Sequence, residues 1–202
     1  MDETTREDDI ALDRRLGARL KAARLRAELT LDALALRTGV SRAMISRVER
    51  GESSPTAAVL VRLGSGLGLT LSALLEESAG GEPLARRAEQ AVWRDPASGY
   101  QRRNVSPHGT GSSFEIVEVV LPAGAHVELD SAAGAPPLDQ QIWVLEGALE
   151  VTLGETVHPL SAGDCLQMHL RGRIAYRNRS AAPVRYAVIL AASRGSFPDN
   201  AS

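Results

Sequence analysis

Hydrophobic residues follow one spacing in the first third of the chain and another in the rest. In the first third they recur every three or four residues, which is typical of amphipathic helices. From about Val92 onward, short stretches rich in Val and Ile are separated by Gly and Pro, which predicts successive strands of an all-β barrel or sandwich. The fold class is therefore α + β with two domains. The helical spacing is carried by Leu12, Leu16, Leu20, Ala23, Leu60, Leu63 and Leu67.

Breaks in this pattern predict the domain boundaries. The stretch "ESAGGEPLARRAEQ" has small residues, a Gly pair and a Pro, and is expected to be a linker. The opening "MDETTREDD" lacks the basic start and apolar core of a signal peptide and is expected to be a solvated acidic tail. The predicted segments are a disordered tail over 1–12, a helical domain over 13–77, a linker over 78–90, a β domain over 91–194 and a second tail over 195–202.

The stretch "GAPPLDQQIWVLEGALEV" alternates apolar and polar residues around a central Glu-Gly pair. This alternation predicts two half-buried strands joined by a tight hairpin. On the first strand Gln140, Ile142 and Val144 share the inward face, whereas Trp143 points outward. Tyr176 is expected on a strand that faces them.

Composition and charge narrow the class of protein. The chain has 202 residues, of which 44% are hydrophobic and 24% charged, with a formal net charge of -2. No run of eighteen apolar residues occurs, so a cytoplasmic protein is expected. The single cysteine, Cys165, excludes an internal disulfide and a cysteine-rich zinc site, and is expected to be a small buried side chain.

Positive charge is concentrated in the helical domain. Residues 13–62 contain eleven Arg and Lys against five Asp and Glu, an excess of six in a chain that is net acidic. A basic surface on a small helical module indicates a site for phosphate groups, although charged runs are commonly just solvated faces.

The stretch "TLDALALRTGVSRAMISRVERGESSPT" adds a specific pattern to this charge. Thr30 is placed to cap one helix, Gly39 ends it, and Ser41 is placed to cap a second helix that runs to about Arg50. Burial of Ile45 and Val48 on that helix leaves its arginines outward, where arginine can bind guanine O6 and N7 in a major groove. Thr56 and Thr70 are placed to cap two further helices.

These residues resemble the XRE family of helix-turn-helix regulators over positions 16 to 75. The resemblance implies a five-helix, repressor-type DNA-binding domain in which Leu31–Thr38 supports a recognition helix over Ser41–Arg50. Asp32 departs from the glutamine that the family often has there, and an ionised carboxylate cannot donate to a phosphate. The expected DNA-binding residues are Thr30, Ser41, Arg42, Ala43, Ser46, Arg47 and Arg50.

Residues 90 to 192 resemble a cupin barrel that has lost its metal ligands. Counting from the motif glycines puts Gln140 at the glutamate position, Asp130 and Ala132 at the two histidine positions, and Ile174 at the third histidine. In the second motif Gly163 and Asn178 fit, but His169 and Arg171 replace the proline and glycine. Because a metal in this barrel needs several converging imidazole and carboxylate donors, no metal and no cofactor are expected.

The combination predicts a transcriptional regulator that is a homodimer and binds a near-palindromic DNA operator. Its β domain either senses a small-molecule effector or only holds the dimer, filled by its own side chains. Two alternatives remain open at this point: a metal-dependent cupin enzyme with an accessory DNA-binding domain, and a DNA-binding dimer without an effector. A basic helical bundle that docks a protein is a further alternative. The candidate effector-binding residues are Asp130, Gln140, His169 and Tyr176.

Overall fold

A computed structural model describes residues 3–75, 81–107, 110, 112, 114–130, 138–170 and 172–192. The chain forms a helical N-terminal part and a β-sandwich, as the change in hydrophobic pattern predicts. None of the described helices is both long and apolar enough to cross a lipid bilayer.

The helical part contains one long helix and four shorter ones. The acidic tail that was expected to be disordered is helical from Glu3 onward, where the first helix begins. Acidic residues in the first turns of a helix are favoured by its dipole, so a charged sequence there is compatible with helix. The last helix is a single turn of five residues. The helices are α1 (Glu3–Arg26), α2 (Leu31–Thr38), α3 (Arg42–Glu49), α4 (Ala57–Leu67) and α5 (Leu71–Leu75).

Close contacts at two helix glycines define this part. A side chain on Gly17 of α1 would overlap the carbonyl oxygen of Val48 in α3. A side chain on Gly66 of α4 would likewise overlap Thr38 of α2. Leucines that follow the predicted helical spacing are fully buried among these helices, which confirms that spacing as the core pattern. They are Leu16, Leu20, Leu60 and Leu63.

The predicted linker is partly ordered against the β part. It contains a short 3-10 helix, Arg87–Glu89. The Gln90 side-chain amide donates to the carbonyl oxygens of Ala85, at 3.2 Å, and Val105, at 3.5 Å. The described end of the linker is therefore attached to the sheets, while residues 76–80 lie outside the described residues.

Two antiparallel sheets form the sandwich. The strands are β1 (Val92–Arg94), β2 (Gln101–Asn104), β3 (Phe114–Leu121), β4 (His126–Asp130), β5 (Leu138–Glu146), β6 (Ala148–Leu153), β7 (Thr156–Ser161), β8 (Cys165–Leu170), β9 (Arg173–Arg177) and β10 (Val184–Ala192). Strand order is β1-β2-β3-β10-β5-β8 in the six-stranded sheet and β4-β9-β6-β7 in the four-stranded sheet. The pattern of Val and Ile did not predict β1, β2, β4 or β7, which are short or polar.

The predicted hairpin between β5 and β6 is wrong. β5 pairs with β10 and β8, whereas β6 pairs with β7 and β9 in the other sheet. The chain changes sheets at Gly147, which has a φ of 84° and lies close to Pro183 and Val184. Alternating polarity predicts strands but does not identify their partners, which depend on residues far away in the sequence.

The inner faces of the two sheets meet as predicted around β5 and β9. Gln140, Ile142 and Val144 are buried with no more than 5% exposure, and Tyr176 lies opposite them on the four-stranded sheet. Cys165 is exposed, contrary to expectation, because it pairs with the outward-facing Trp143 at the start of β8.

Candidate nucleic-acid interface and sandwich interior

Two local caps hold α2 and α3. The Thr30 hydroxyl accepts from the Ala33 N–H at 3.0 Å, and the Ser41 hydroxyl accepts from the Met44 N–H at 3.2 Å. Gly39 ends α2 in the left-handed conformation, with a φ of 67°, and its N–H donates to the Ala35 carbonyl at 2.9 Å. These local interactions set the turn between the two helices, as the spacing predicts.

α3 has one buried face and one basic face. Ile45 and Val48 are fully buried against the helical core. Arg42, Ala43 and Arg47 are exposed, as is Arg50 immediately after the helix, and Ser46 is half-buried. The structure thus brings the predicted DNA-binding side chains of α3 to one accessible surface.

Ion pairs distinguish the arginines of this surface. Arg42 Nε lies 3.3 Å from Asp32 Oδ1, in a pair that is exposed on both sides. Arg50 donates twice to the Glu52 carboxylate, at 2.7 Å each, and also to the Ser46 hydroxyl. This hydrogen bonding from Arg50 lowers the pKa of the Glu52 carboxyl.

Arg47 differs from these two neighbours. Its side chain is exposed, and the ion pairs found among the described residues do not include it. Arg47 is therefore the arginine of α3 whose guanidinium is available to a partner without first breaking an ion pair.

A buried ion pair supports the base of α3. Arg24 of α1 binds the Glu49 carboxylate through Nε at 2.6 Å and through Nη2 at 2.8 Å. Its third nitrogen, Nη1, donates to the Leu29 carbonyl at 2.8 Å. Hydrogen bonding to Glu49 raises the pKa of Arg24. This bidentate geometry ties the end of α3 to α1 and to the residue before Thr30.

The sandwich interior holds a polar contact between the sheets. The Gln140 side-chain amide donates to the Tyr176 hydroxyl oxygen at 2.9 Å. Burial raises the pKa of the Tyr176 phenol well above its ordinary value, so the hydroxyl keeps its proton. The Tyr176 ring also stacks on Tyr186, with centroids 6.2 Å apart. Two of the four candidate effector-binding residues are therefore together.

Two further polar residues of the interior were not predicted. Arg102 and Asn104 on β2 are 5% and 2% exposed and lie opposite Val119 and Val117, which face the interior. Within the described part of the chain, neither the nitrogen nor the oxygen of the Asn104 amide has a hydrogen-bond partner. The stretch "QRRN" carries no hydrophobic signal, so its burial depends on β1 and β3 on either side.

The other two candidate residues lie elsewhere. Asp130 faces α4, where Oδ2 is 3.9 Å from Arg62 Nη2. His169 is on the outer face of β8, with Nδ1 2.6 Å from Asp139 Oδ1 and its side chain 62% exposed. Strand alternation explains His169, because its neighbour Met168 points inward. Including Asp130 and His169 in the interior site was wrong.

The positions that would hold a cupin metal do not gather donors in the described part of the chain. Gln140 contributes a neutral amide, Asp130 points outward, and Ile174 is fully buried with an apolar side chain. Ala132 and Arg171 lie outside the described residues. Among residues that are described, no group of three or more His, Cys, Asp and Glu is arranged to bind a metal ion.

Comparison with known proteins gives a family for the helical part. Residues 20–74 match the helix-turn-helix family. HTH-type transcriptional regulator SutR of Escherichia coli (strain K12) is 26% identical over 167 residues, which cover 83% of this chain and 89% of that protein. Residues 20–74 thus form a helix-turn-helix domain.

One solved structure extends the similarity to the rest of the chain. A crystal structure of an HTH_3 family transcriptional regulator from Vibrio cholerae is 29% identical, with a TM-score of 0.75, and the alignment covers 92% of this chain and 99% of that one. A Cupin_2 domain of an XRE family regulator from Enterobacter cloacae is 22% identical and aligns with 47% of this chain and 98% of its own, at a TM-score of 0.42. The first similarity spans both the helical part and the sandwich.

Proposed function

We propose that this protein, whose residues 20–74 form a helix-turn-helix domain, is a sequence-specific DNA-binding transcriptional regulator that acts in the cytoplasm. The observation that carries the proposal is the capped helix α3, which buries Ile45 and Val48 and exposes Arg42 and Arg47. A helix with this division of faces fits a major groove, where arginine binds guanine bidentately. The transcriptional regulators of Escherichia coli and Vibrio cholerae support the same function.

The DNA-binding proposal is tested with duplexes selected by the wild-type protein from a random DNA library. Arg47→Ala is expected to lose about 1 to 3 kcal/mol of affinity for the selected duplex and little for unrelated duplexes. Arg177→Ala, an exposed arginine on β9, is the matched control and should bind like wild type. Equal loss on every duplex would make Arg47 a phosphate contact, and no enrichment by wild-type protein would refute sequence-specific binding.

We further propose that the sandwich is a cupin barrel that senses a small anionic effector between its sheets. Burial raises the pKa of both Tyr176 and Tyr186, and the buried Arg102 guanidinium supplies positive charge there that opposes part of this rise. The Asn104 amide finds no partner for its donor and acceptor atoms among the described residues, and such atoms are costly to bury without one. A small carboxylate would supply acceptors for the Asn104 amide and the Tyr176 hydroxyl, and its negative charge would be favoured by the positive charge of Arg102.

The effector proposal is tested by thermal unfolding with a panel of small carboxylic acids. A ligand at about a hundred times its dissociation constant should add about 2.7 kcal/mol to the free energy of unfolding. Tyr176→Phe should reduce this gain in the free energy of unfolding while leaving the unliganded protein folded. His169→Ala changes a residue outside the interior and should leave the gain unchanged. A panel without any shift would favour a β domain that only holds the dimer.

A metal-dependent cupin enzyme remains the alternative for the β domain. Protein purified without chelators would then carry a stoichiometric transition metal, which elemental analysis detects. The single neutral donor at Gln140 disfavours such a site.

The homodimer proposal rests on the outer face of the six-stranded sheet. Trp143, Phe114 and Ile116 are 49%, 62% and 41% exposed there, and the ladder places Ile189 between β3 and β5 in the same area. A contiguous exposed apolar area of this kind is typical of an interface. With a second copy on this face, two-fold symmetry would present two α3 helices to a near-palindromic operator.

A further inference from the structure

The helical part and the sandwich share a buried hydrogen bond at the start of α4. The N–H of Ala57, the first residue of α4, donates to Asp95 Oδ1 at 2.9 Å. Asp95 follows β1 directly and is only 3% exposed. Its second oxygen, Oδ2, accepts from the Ser98 N–H at 2.9 Å and from the Ser98 hydroxyl. The Asp95 carboxylate therefore accepts hydrogen bonds both from its own turn in the sandwich and from the first residue of α4 in the helical part.

This bond is a helix cap supplied from a distance. The first N–H groups of a helix have no acceptor within the helix, and a carboxylate near them is also favoured by the helix dipole. α4 already has a local cap, because the Thr56 hydroxyl accepts from the Val59 N–H at 3.4 Å. Asp95 adds a second cap that, unlike the first, depends on where α4 lies relative to the sheets.

The turn that holds Asp95 leads into the sandwich interior. The Asp95 N–H donates to the Tyr100 carbonyl at 2.8 Å, which closes the β1–β2 turn. Trp93 and Tyr100 flank the turn, are each 4% exposed, and contact each other edge to face with centroids 6.2 Å apart. Trp93 also lies opposite Arg102 in the β1–β2 ladder. A displacement of Arg102 would therefore be transmitted through Trp93 to the β1–β2 turn, which positions Asp95.

Two other polar contacts cross this boundary at longer distances in the described part of the chain. The Thr70 hydroxyl before α5 donates to Glu115 Oε2 of β3 at 3.4 Å. Arg62 and Asp130 are 3.9 Å apart and 43% and 47% exposed, and such exposed pairs hold a geometry poorly. Beside Asp95 lies an open cleft of about 500 Å³ between the start of α4 and the β3–β4 turn, lined in part by Ala58, Gly124 and His126. This cleft leaves room for the first turn of α4 to move once the Asp95 bond is lost.

Movement of α4 would carry α3 with it. α4 packs on α2 without space for a side chain between Gly66 and Thr38, and α2 and α3 are joined by their tight turn. We propose that Asp95 is a positioning residue: its cap on α4 sets the direction of the recognition helix relative to the sandwich, and so the distance between the two recognition helices of a dimer. This inference rests on the proposed DNA-binding dimer.

The experiment compares Asp95→Ala with Thr56→Ala, which removes the local cap of the same helix. The probes are a duplex selected by wild-type protein from a random library, the same duplex with two or four base pairs inserted at its centre, and a single half-site. Wild type and Thr56→Ala should lose at least about tenfold in affinity on the lengthened duplexes, because half-site spacing must match the dimer. Asp95→Ala should bind selected and lengthened duplexes within about threefold of each other, with unchanged half-site affinity.

Two conservative variants keep the result interpretable. Asp95→Asn retains an oxygen acceptor for Ala57 and should restore most of the discrimination between spacings. Ser98→Ala removes only the hydroxyl hydrogen bond to Oδ2, because the N–H of residue 98 still donates to that oxygen. It should weaken that discrimination partially, which provides the answer even if Asp95→Ala does not fold.

The binding results distinguish a failure of the proposed role of Asp95 from a failure of the proposed DNA-binding dimer. If Asp95→Ala discriminates between spacings like wild type and only lowers the melting temperature as Thr56→Ala does, Asp95 is merely a cap and the inference is overturned. If Asp95→Ala does not fold and Ser98→Ala discriminates like wild type, the inference is overturned as well. If wild-type protein enriches no duplex, or binds its duplex equally at every spacing, the proposed DNA-binding dimer itself fails.

Discussion

Asp32 and Arg42 form an exposed ion pair beside the proposed DNA-binding surface. Arg42 Nε is 3.3 Å from Asp32 Oδ1, and the two side chains are 64% and 77% exposed. Such a pair contributes little to stability. However, the Asp32 carboxylate repels DNA phosphates and pairs with the Arg42 guanidinium, which could otherwise contact a phosphate. We predict that Asp32→Gln strengthens DNA binding by about three- to tenfold and leaves the melting temperature unchanged. Fluorescence anisotropy over a salt series measures both the affinity and its salt dependence.

Asp32→Leu is the control for this prediction, because it removes the charge without adding a donor. A gain seen with both variants would show that release of Arg42 is enough, while a gain with Asp32→Gln alone would show that the amide binds phosphate. Wild-type affinity in both variants at low salt would contradict the prediction.

Single residues differ in how well they could be predicted. Thr30 and Ser41 were identified as caps because each bonds an N–H only three residues away. Asp130 and His169 were misplaced, since spacing along a motif does not determine which neighbours surround a side chain. Arg102 and Asn104 were missed because polar side chains on a polar strand give no sign of burial; only their neighbours bury them.

At the scale of elements, the change of sheet at Gly147 is a point where a side chain should be poorly tolerated. Gly147 has a φ of 84°, and a Cβ there would lie 3.3 Å from both the Pro183 carbonyl oxygen and the Val184 Cα. An L-residue in a left-handed conformation costs about 1 to 2 kcal/mol, and the close backbone adds to that cost. We predict that Gly147→Ala lowers the free energy of unfolding by about 2 kcal/mol, measured by urea denaturation.

Gly154→Ala separates the two causes. Gly154 lies in the β6–β7 hairpin with a φ of 60°, but a Cβ there meets nothing within 4 Å. Gly154→Ala should therefore lower the free energy of unfolding only by the cost of the left-handed backbone conformation. A decrease as large as that of Gly147→Ala would show that the contact with Pro183 and Val184 is unimportant. The wrong hairpin has a related cause: Glu146-Gly147 and Gly154-Glu155 each offer a glycine for a turn, but only the second joins strands that pair with each other.

For the whole molecule, the exposed outer face of the six-stranded sheet should determine the oligomeric state. Trp143 lies near its centre, beside Ala187 in the β5–β10 ladder and Cys165 in the β5–β8 ladder. Burying a charge there without a partner is costly, so we predict that Trp143→Glu converts the protein to a monomer with an unchanged melting transition of the helical part. Sedimentation velocity at micromolar concentration measures this change.

The position of α3 relative to this face connects oligomeric state with DNA binding. A monomer retains the complete surface of Arg42 and Arg47, so Trp143→Glu should bind a single half-site as wild type does and lose its preference for a duplex with two half-sites. Val157→Glu, on the four-stranded sheet and 50% exposed in the native protein, is the matched control and should remain dimeric. A Trp143→Glu protein that is still a dimer would place the two-fold axis on another surface, and the spacing of the recognition helices would then follow from that surface instead.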